Sequence, residues 1–66
     1  MEVSVKIRRE EKSVILDEGS TINDLLKKLG INRETVLIRR NGKLCIEEEV
    51  LNDRDSVEII PAISGG

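Results

Sequence analysis

The residues with the clearest chemical use are the last two, Gly65-Gly66. Neither has a side chain, so the pair can lie in a channel too narrow for other residues and bring a backbone carboxylate against a nucleotide. A free carboxylate is a poor electrophile. Adenylation gives it a leaving group, and a sulfur nucleophile that displaces AMP leaves a thiocarboxylate on the last glycine. The competing reading is a plain terminus, since termini are where order and constraint are weakest.

Other chemistry-bearing residues carry less. Cys45 has Lys43 two residues away, but the protein has no histidine to act as a base, so a small strand residue is the better reading than a nucleophile. The triplet Glu47-Glu48-Glu49 could suggest metal binding, and Asp53 with Asp55 could suggest acid/base work. Hard cations want several convergent oxygens with turn glycines, which neither stretch offers, so solvated loop charge is expected. With no serine–histidine or cysteine–histidine pair, the sequence does not read as an enzyme, and no metal or bound cofactor is expected.

The elements that must position the ending follow from periodicity. Met1 to Arg8 alternates, with Val3, Val5 and Ile7 on one side, the pattern of a half-buried strand. Arg9 to Lys12 reads as a charged turn and Ser13 to Leu16 as a second strand. Ser20 or Thr21 can cap a helix, with Asp24 three residues after Thr21. Ile22, Leu25, Leu26 and Leu29 make its apolar stripe, Lys27 and Lys28 suit its last turn, and Gly30 ends it. Thr35 to Arg40 is a third strand, Asn41-Gly42 a hairpin turn, and Lys43 to Ile46 a short return strand. Glu47 to Asn52 is expected to be a loop or helical turn that buries Val50 or Leu51. Asp53 to Ser56 is a polar turn, and Val57 to Ile60 is a last strand stopped by Pro61. Residues 1–61 thus form one α+β domain, a mixed four- to five-stranded sheet wrapped around one main helix, and 62–66 a flexible tail. Extended from Pro61, that tail reaches roughly 20 Å, enough to enter a partner's active site.

Composition narrows the function classes. A protein of 66 residues is one domain near the lower limit for unassisted folding, and with no aromatic residue its core must be branched aliphatics. Thirteen acidic and eleven basic residues leave a net charge of −2, against the basic footprint that nucleic-acid binding wants. There is no apolar run of membrane length and no signal-peptide core, and a lone cysteine fits a reducing compartment. A cytoplasmic monomer that meets larger enzymes transiently is the expectation.

The run Leu51-Asn52-Asp53-Arg54-Asp55-Ser56-Val57-Glu58-Ile59-Ile60-Pro61, with Asn41-Gly42 upstream and the closing glycine pair, resembles the ThiS/MoaD family of sulfur carriers. The resemblance spans the whole sequence and is densest from Val36 to Gly66. It implies the ubiquitin-like β-grasp fold. It also implies adenylation of Gly66 by an ATP-dependent, ubiquitin-activating-type adenylyltransferase, then thiocarboxylation. The sulfur comes from a donor such as a cysteine desulfurase and passes to a downstream synthase or thiolase, for thiamin thiazole, molybdopterin or tRNA thiolation. The turn carries Arg54-Asp55 where the family often has Gly-Asp. Gly65 and Ser64 give the tail its access. If Val57 and Ile59 face the helix, Glu58 and Ile60 lie on the open face with Leu37 and Arg39. Those residues, Arg40 beside them and Ile63 in the tail would make a docking patch near the tail. Two other functions fit the same ending and scaffold: a modifier joined to lysines through Gly66, and a plain interaction module.

Overall fold

The computed structural model describes residues 1–62. Seven elements follow in order: β1 (Glu2–Ile7), β2 (Glu10–Ile15), helix α1 (Ile22–Leu29), a 3-10 turn (Arg33–Thr35), β3 (Val36–Arg40), β4 (Lys43–Cys45) and β5 (Ser56–Pro61). The strands form one mixed sheet in the order β2-β1-β5-β3-β4, with β1 and β5 parallel at its centre and the other neighbours antiparallel. This is the five-stranded form of the expected sheet.

One face of the sheet is closed by α1. Val3 and Val5 from β1, Val57 and Ile59 from β5, and Ile38 from β3 pack with Ile22, Leu25 and Leu26 of the helix. Leu51 joins them, 2% exposed, while its neighbour Val50 is 51% exposed. Removing any of the fully buried leucines to alanine costs about 2–5 kcal/mol.

The helix is closed at both ends by local chemistry. Thr21 is the N-cap: its hydroxyl accepts from the Asp24 N–H at 3.2 Å, and the Asp24 carboxylate accepts from the Thr21 N–H at 2.9 Å. The Ile22 and Asn23 amides donate to the carbonyls of Glu49 (3.0 Å) and Glu47 (2.9 Å), so the free first-turn donors are satisfied from a distant loop. At the other end Gly30 sits at φ 72°, and the Ile31 N–H reaches back to the Leu26 carbonyl at 2.9 Å.

Several strand boundaries differ from the sequence expectation, β4 for one ending at Cys45 rather than Ile46, and three of the differences have a clear physical cause. The first hairpin turns on Arg8-Arg9 alone, with Arg8 at φ 57°, and β2 begins at Glu10. Glu10, Glu11 and Lys12 are exposed on an edge strand, where charge is tolerated on both faces. Thr35 closes a 3-10 turn capped by the Asn32 side chain (2.9 Å to the Glu34 N–H), so β3 starts one residue later. Pro61 does not stop β5 but is its last residue, paired with Val36, and Ala62 still donates to the Thr35 carbonyl at 2.9 Å. The reason is parity. Even-numbered residues of this stretch send their N–H toward β3, so the donor that proline lacks would point to the β1 side, where pairing has ended at Ile7 and Ile59.

Candidate functional site

Ile63, Ser64, Gly65 and Gly66 lie outside the described residues. The structure does show where the backbone heads toward them. Ala62 is bonded to Thr35 at the end of the β3–β5 ladder, so the ending departs from a central strand rather than from a loose edge.

Beside that departure point lies the open face. Strand alternation puts Leu37 opposite Ile60 and Arg39 opposite Glu58. Leu37 is 51% exposed and Ile60 is half-buried. The Arg39 guanidinium stands 3.8 Å from the Glu58 carboxylate and donates to the Gly42 carbonyl at 3.2 Å. Both partners are wet, so the pair adds little to stability and stays available to another molecule. Across the sheet the register continues Arg39, Glu58, Lys6, Glu11, a ladder of alternating sign bordering the aliphatic end.

Arg40 does not belong to this patch, contrary to the sequence expectation. As the next residue along β3 it points the other way. It donates to the Val50 carbonyl at 2.6 Å and pairs with Glu49 (3.5 Å) and, more loosely, Asp55 (3.9 Å). It clamps the 47–55 loops onto the sheet. The sequence reading also missed Leu44 and Ile46, 70% and 59% exposed. Leu44 pairs with Arg39, and Leu44, Ile46 and Leu37 line a shared groove of about 280 Å³. The signal was present: a two-residue Asn41-Gly42 turn fixes Arg40 opposite Lys43, which puts Leu44 and Ile46 on the outward parity.

The acidic residues prove more structural than solvated. Asp55 is 7% exposed; its carboxylate accepts from the Asn52 N–H at 2.8 Å and from the amide group of the Asn41 side chain at 3.1 Å. Asp53 accepts from the Glu2 N–H at 2.8 Å, and Glu47 pairs with Arg33 at 3.4 Å. Glu48 alone of the triplet is fully surface charge. Among the described residues no cluster of metal-ligating side chains forms. Cys45 is half-buried with its sulfur 3.7 Å from the Ile38 carbonyl, and burial, then Glu49, push its thiol above the ordinary value despite Arg40. That holds it as a neutral thiol, the opposite of an activated nucleophile. No helix among the described residues is long and apolar enough to cross a membrane.

Known proteins agree with this architecture. The ThiS family model matches residues 3–66. Sulfur carrier protein TtuB of Thermus thermophilus is 35% identical over 57 residues, covering 86% of this protein and 88% of that one. The fold is shared with small archaeal modifier protein 1 of Haloferax volcanii (16% identity, TM-score 0.80, 94% and 98% covered). It is shared too with the thiamine biosynthesis protein ThiS of Geobacter metallireducens (22% identity, TM-score 0.66, 96% and 99% covered). The fold is a ubiquitin-like β-grasp, and the molecule is a small sulfur-carrier protein of the ThiS/MoaD type. It belongs to the ThiS family.

Proposed function

We propose that sulfur is carried on Gly66. Its carboxylate attacks ATP within a ubiquitin-activating-type adenylyltransferase, forming an acyl-adenylate and releasing pyrophosphate. A persulfide sulfur, supplied by a donor such as a cysteine desulfurase, then attacks the acyl carbon and AMP leaves; a second thiol of the donor system cleaves the S–S bond, forming a disulfide and freeing the thiocarboxylate. Gly65 and Ser64 let the ending enter the partner's channel. The carrier binds no cofactor of its own; ATP is held by the partner. The thiocarboxylate passes to a downstream synthase or thiolase in the cytoplasm, in thiamin thiazole, molybdopterin or tRNA thiolation.

The observation that supports this reading best is that the family match runs through residue 66, so the glycine pair falls inside the shared pattern. Docking is assigned to Leu37, Arg39 and Ile60, with Ile63 extending the patch into the ending. An aliphatic pair rimmed by charge, next to the departing backbone, is the composition of a small interface centre.

The test is the mass of the endogenous protein purified under non-reducing, metal-free conditions. The expected species has one terminal oxygen replaced by sulfur, localised to Gly66. Cells that yield lysine-linked conjugates and never a thiocarboxylate would make it a protein modifier instead. Full activity after trimming Gly65-Gly66 would reduce it to an interaction module.

A further inference from the structure

We propose that Asn41 is a latent deamidation site, held back in the folded protein by the two hydrogen bonds of its side chain. Asn41-Gly42 is the hairpin turn between β3 and β4, with both residues at positive φ (51° and 87°). Asparagine before glycine is chemically exposed, because nothing on the following residue shields its backbone nitrogen. That nitrogen attacks Cγ of Asn41, the bond from Cγ to Nδ2 breaks, and ammonia leaves as a five-membered imide closes. Water then opens the ring at either carbonyl, giving aspartate or isoaspartate. The balance is one ammonia lost and one water taken up, with no oxidant or cofactor required.

The structure opposes the first step. Asn41 Nδ2 donates to Asp55 Oδ1 at 3.1 Å, and Asn41 Oδ1 accepts from the Ser56 N–H at 3.0 Å. Backbone pairing adds a third tie, from the Asn41 N–H to the Ser56 carbonyl at 2.8 Å. The side group must leave both partners, and the turn its left-handed geometry, before Cγ can meet the Gly42 nitrogen. Reaction is therefore gated by local opening of this corner. The product cannot return to the same place: a carboxylate at position 41 would face the Asp55 carboxylate, itself 7% exposed, and the amide donor would be gone. Isoaspartate would also add an atom to the backbone of the hairpin that carries Leu37, Arg39 and Leu44. Deamidation would then be a one-way mark of a molecule that has opened.

The experiment follows mass and isoaspartate content during incubation at mildly alkaline pH. Samples are the intact protein, the same protein in graded urea, and a synthetic peptide spanning residues 37–46. The intact protein should react at least about tenfold more slowly than the peptide, and urea should raise its rate toward the peptide's in step with the open fraction. Asp55→Ala, which removes the acceptor of the Asn41 amide, should shorten the half-life in folded protein. Should that variant fail to fold, the urea series alone decides. Reaction of the intact protein at the peptide's rate would overturn the proposal, as would a rate indifferent to urea.

Discussion

Leu37 and Ile60 stand directly opposite each other on the open face of the β3–β5 ladder, one residue pair in from Val36 and Pro61. The contact serves two ends at once. It lies on the strand pair that leads to the ending, held there by the backbone ladder, and it leaves an aliphatic spot in solvent beside the exit. Leu37→Glu should therefore slow adenylation of Gly66 by about tenfold or more, the loss expected when a central interface residue worth about 1–2 kcal/mol is removed. Because Leu37 is 51% exposed, the melting temperature should hardly change. Measuring pyrophosphate release with the cognate activating enzyme, alongside thermal unfolding, separates the two; unchanged kinetics would remove Leu37 from the interface.

Arg54 adopts φ 68° in the turn before β5, held there by its N–H bond to the Glu2 carbonyl at 2.7 Å. A non-glycine residue in this region costs about 1–2 kcal/mol. Glycine would adopt the same conformation without that cost. Arg54→Gly should relieve the cost but give back about 0.5–1 kcal/mol of conformational freedom in the unfolded state. The net gain is about 0–1.5 kcal/mol, a rise of up to several degrees in melting temperature for a domain this small. A lower melting temperature would mean that the arginine side group has a stabilising role that outweighs its backbone.

Local chemistry was legible and long-range pairing was not. Thr21, Asp24 and Gly30 announce a helix because their partners lie within four residues, and Asn41-Gly42 announces a hairpin for the same reason. Alternation in Val3, Val5, Val57 and Ile59 found the core, since a strand half-buried on one side must write its period into the sequence. The Arg40 clamp depends on Val50, Glu49 and Asp55, which nothing adjacent to Arg40 encodes. Asp55 looked like surface charge because the Asn41 amide and Asn52 N–H that satisfy it are brought in by the fold. Leu44 and Ile46 needed the hairpin register carried two residue pairs past its turn, a step periodicity alone does not take.

Cys45 provides a check on the mechanism. Burial raises its thiol above the ordinary value, so the folded state favours the protonated form. Its contribution to stability is fully present below the unfolded-state value and is lost as pH rises through the higher folded value. Alkylation at neutral pH should be markedly slower for the folded protein than for the urea-unfolded one. Cys45→Ser should leave thiocarboxylate formation at Gly66 intact when followed by mass. A variant that folds but cannot be thiocarboxylated would bring Cys45 into the sulfur path.

Asp24 links the helix start to pH. Its carboxyl lies below the ordinary value of 3.8, first because it accepts from the Thr21 N–H, then because of the Thr21 hydroxyl, with a small assist from Lys27. A depressed folded value means that stability is present above the unfolded value and is lost as pH falls through the folded one. Protonation weakens the acceptor that closes the capping box and removes the negative charge that suits the helix N-terminus. Asp24→Asn keeps the size but not the charge, so it should melt below the unmodified protein at neutral pH. The difference should shrink as the pH falls below the unfolded value and on through the depressed folded one. Thermal unfolding of the two proteins across that range decides the matter. A gap that stays constant down to the lowest pH would show that the ionised carboxylate is not what holds the cap.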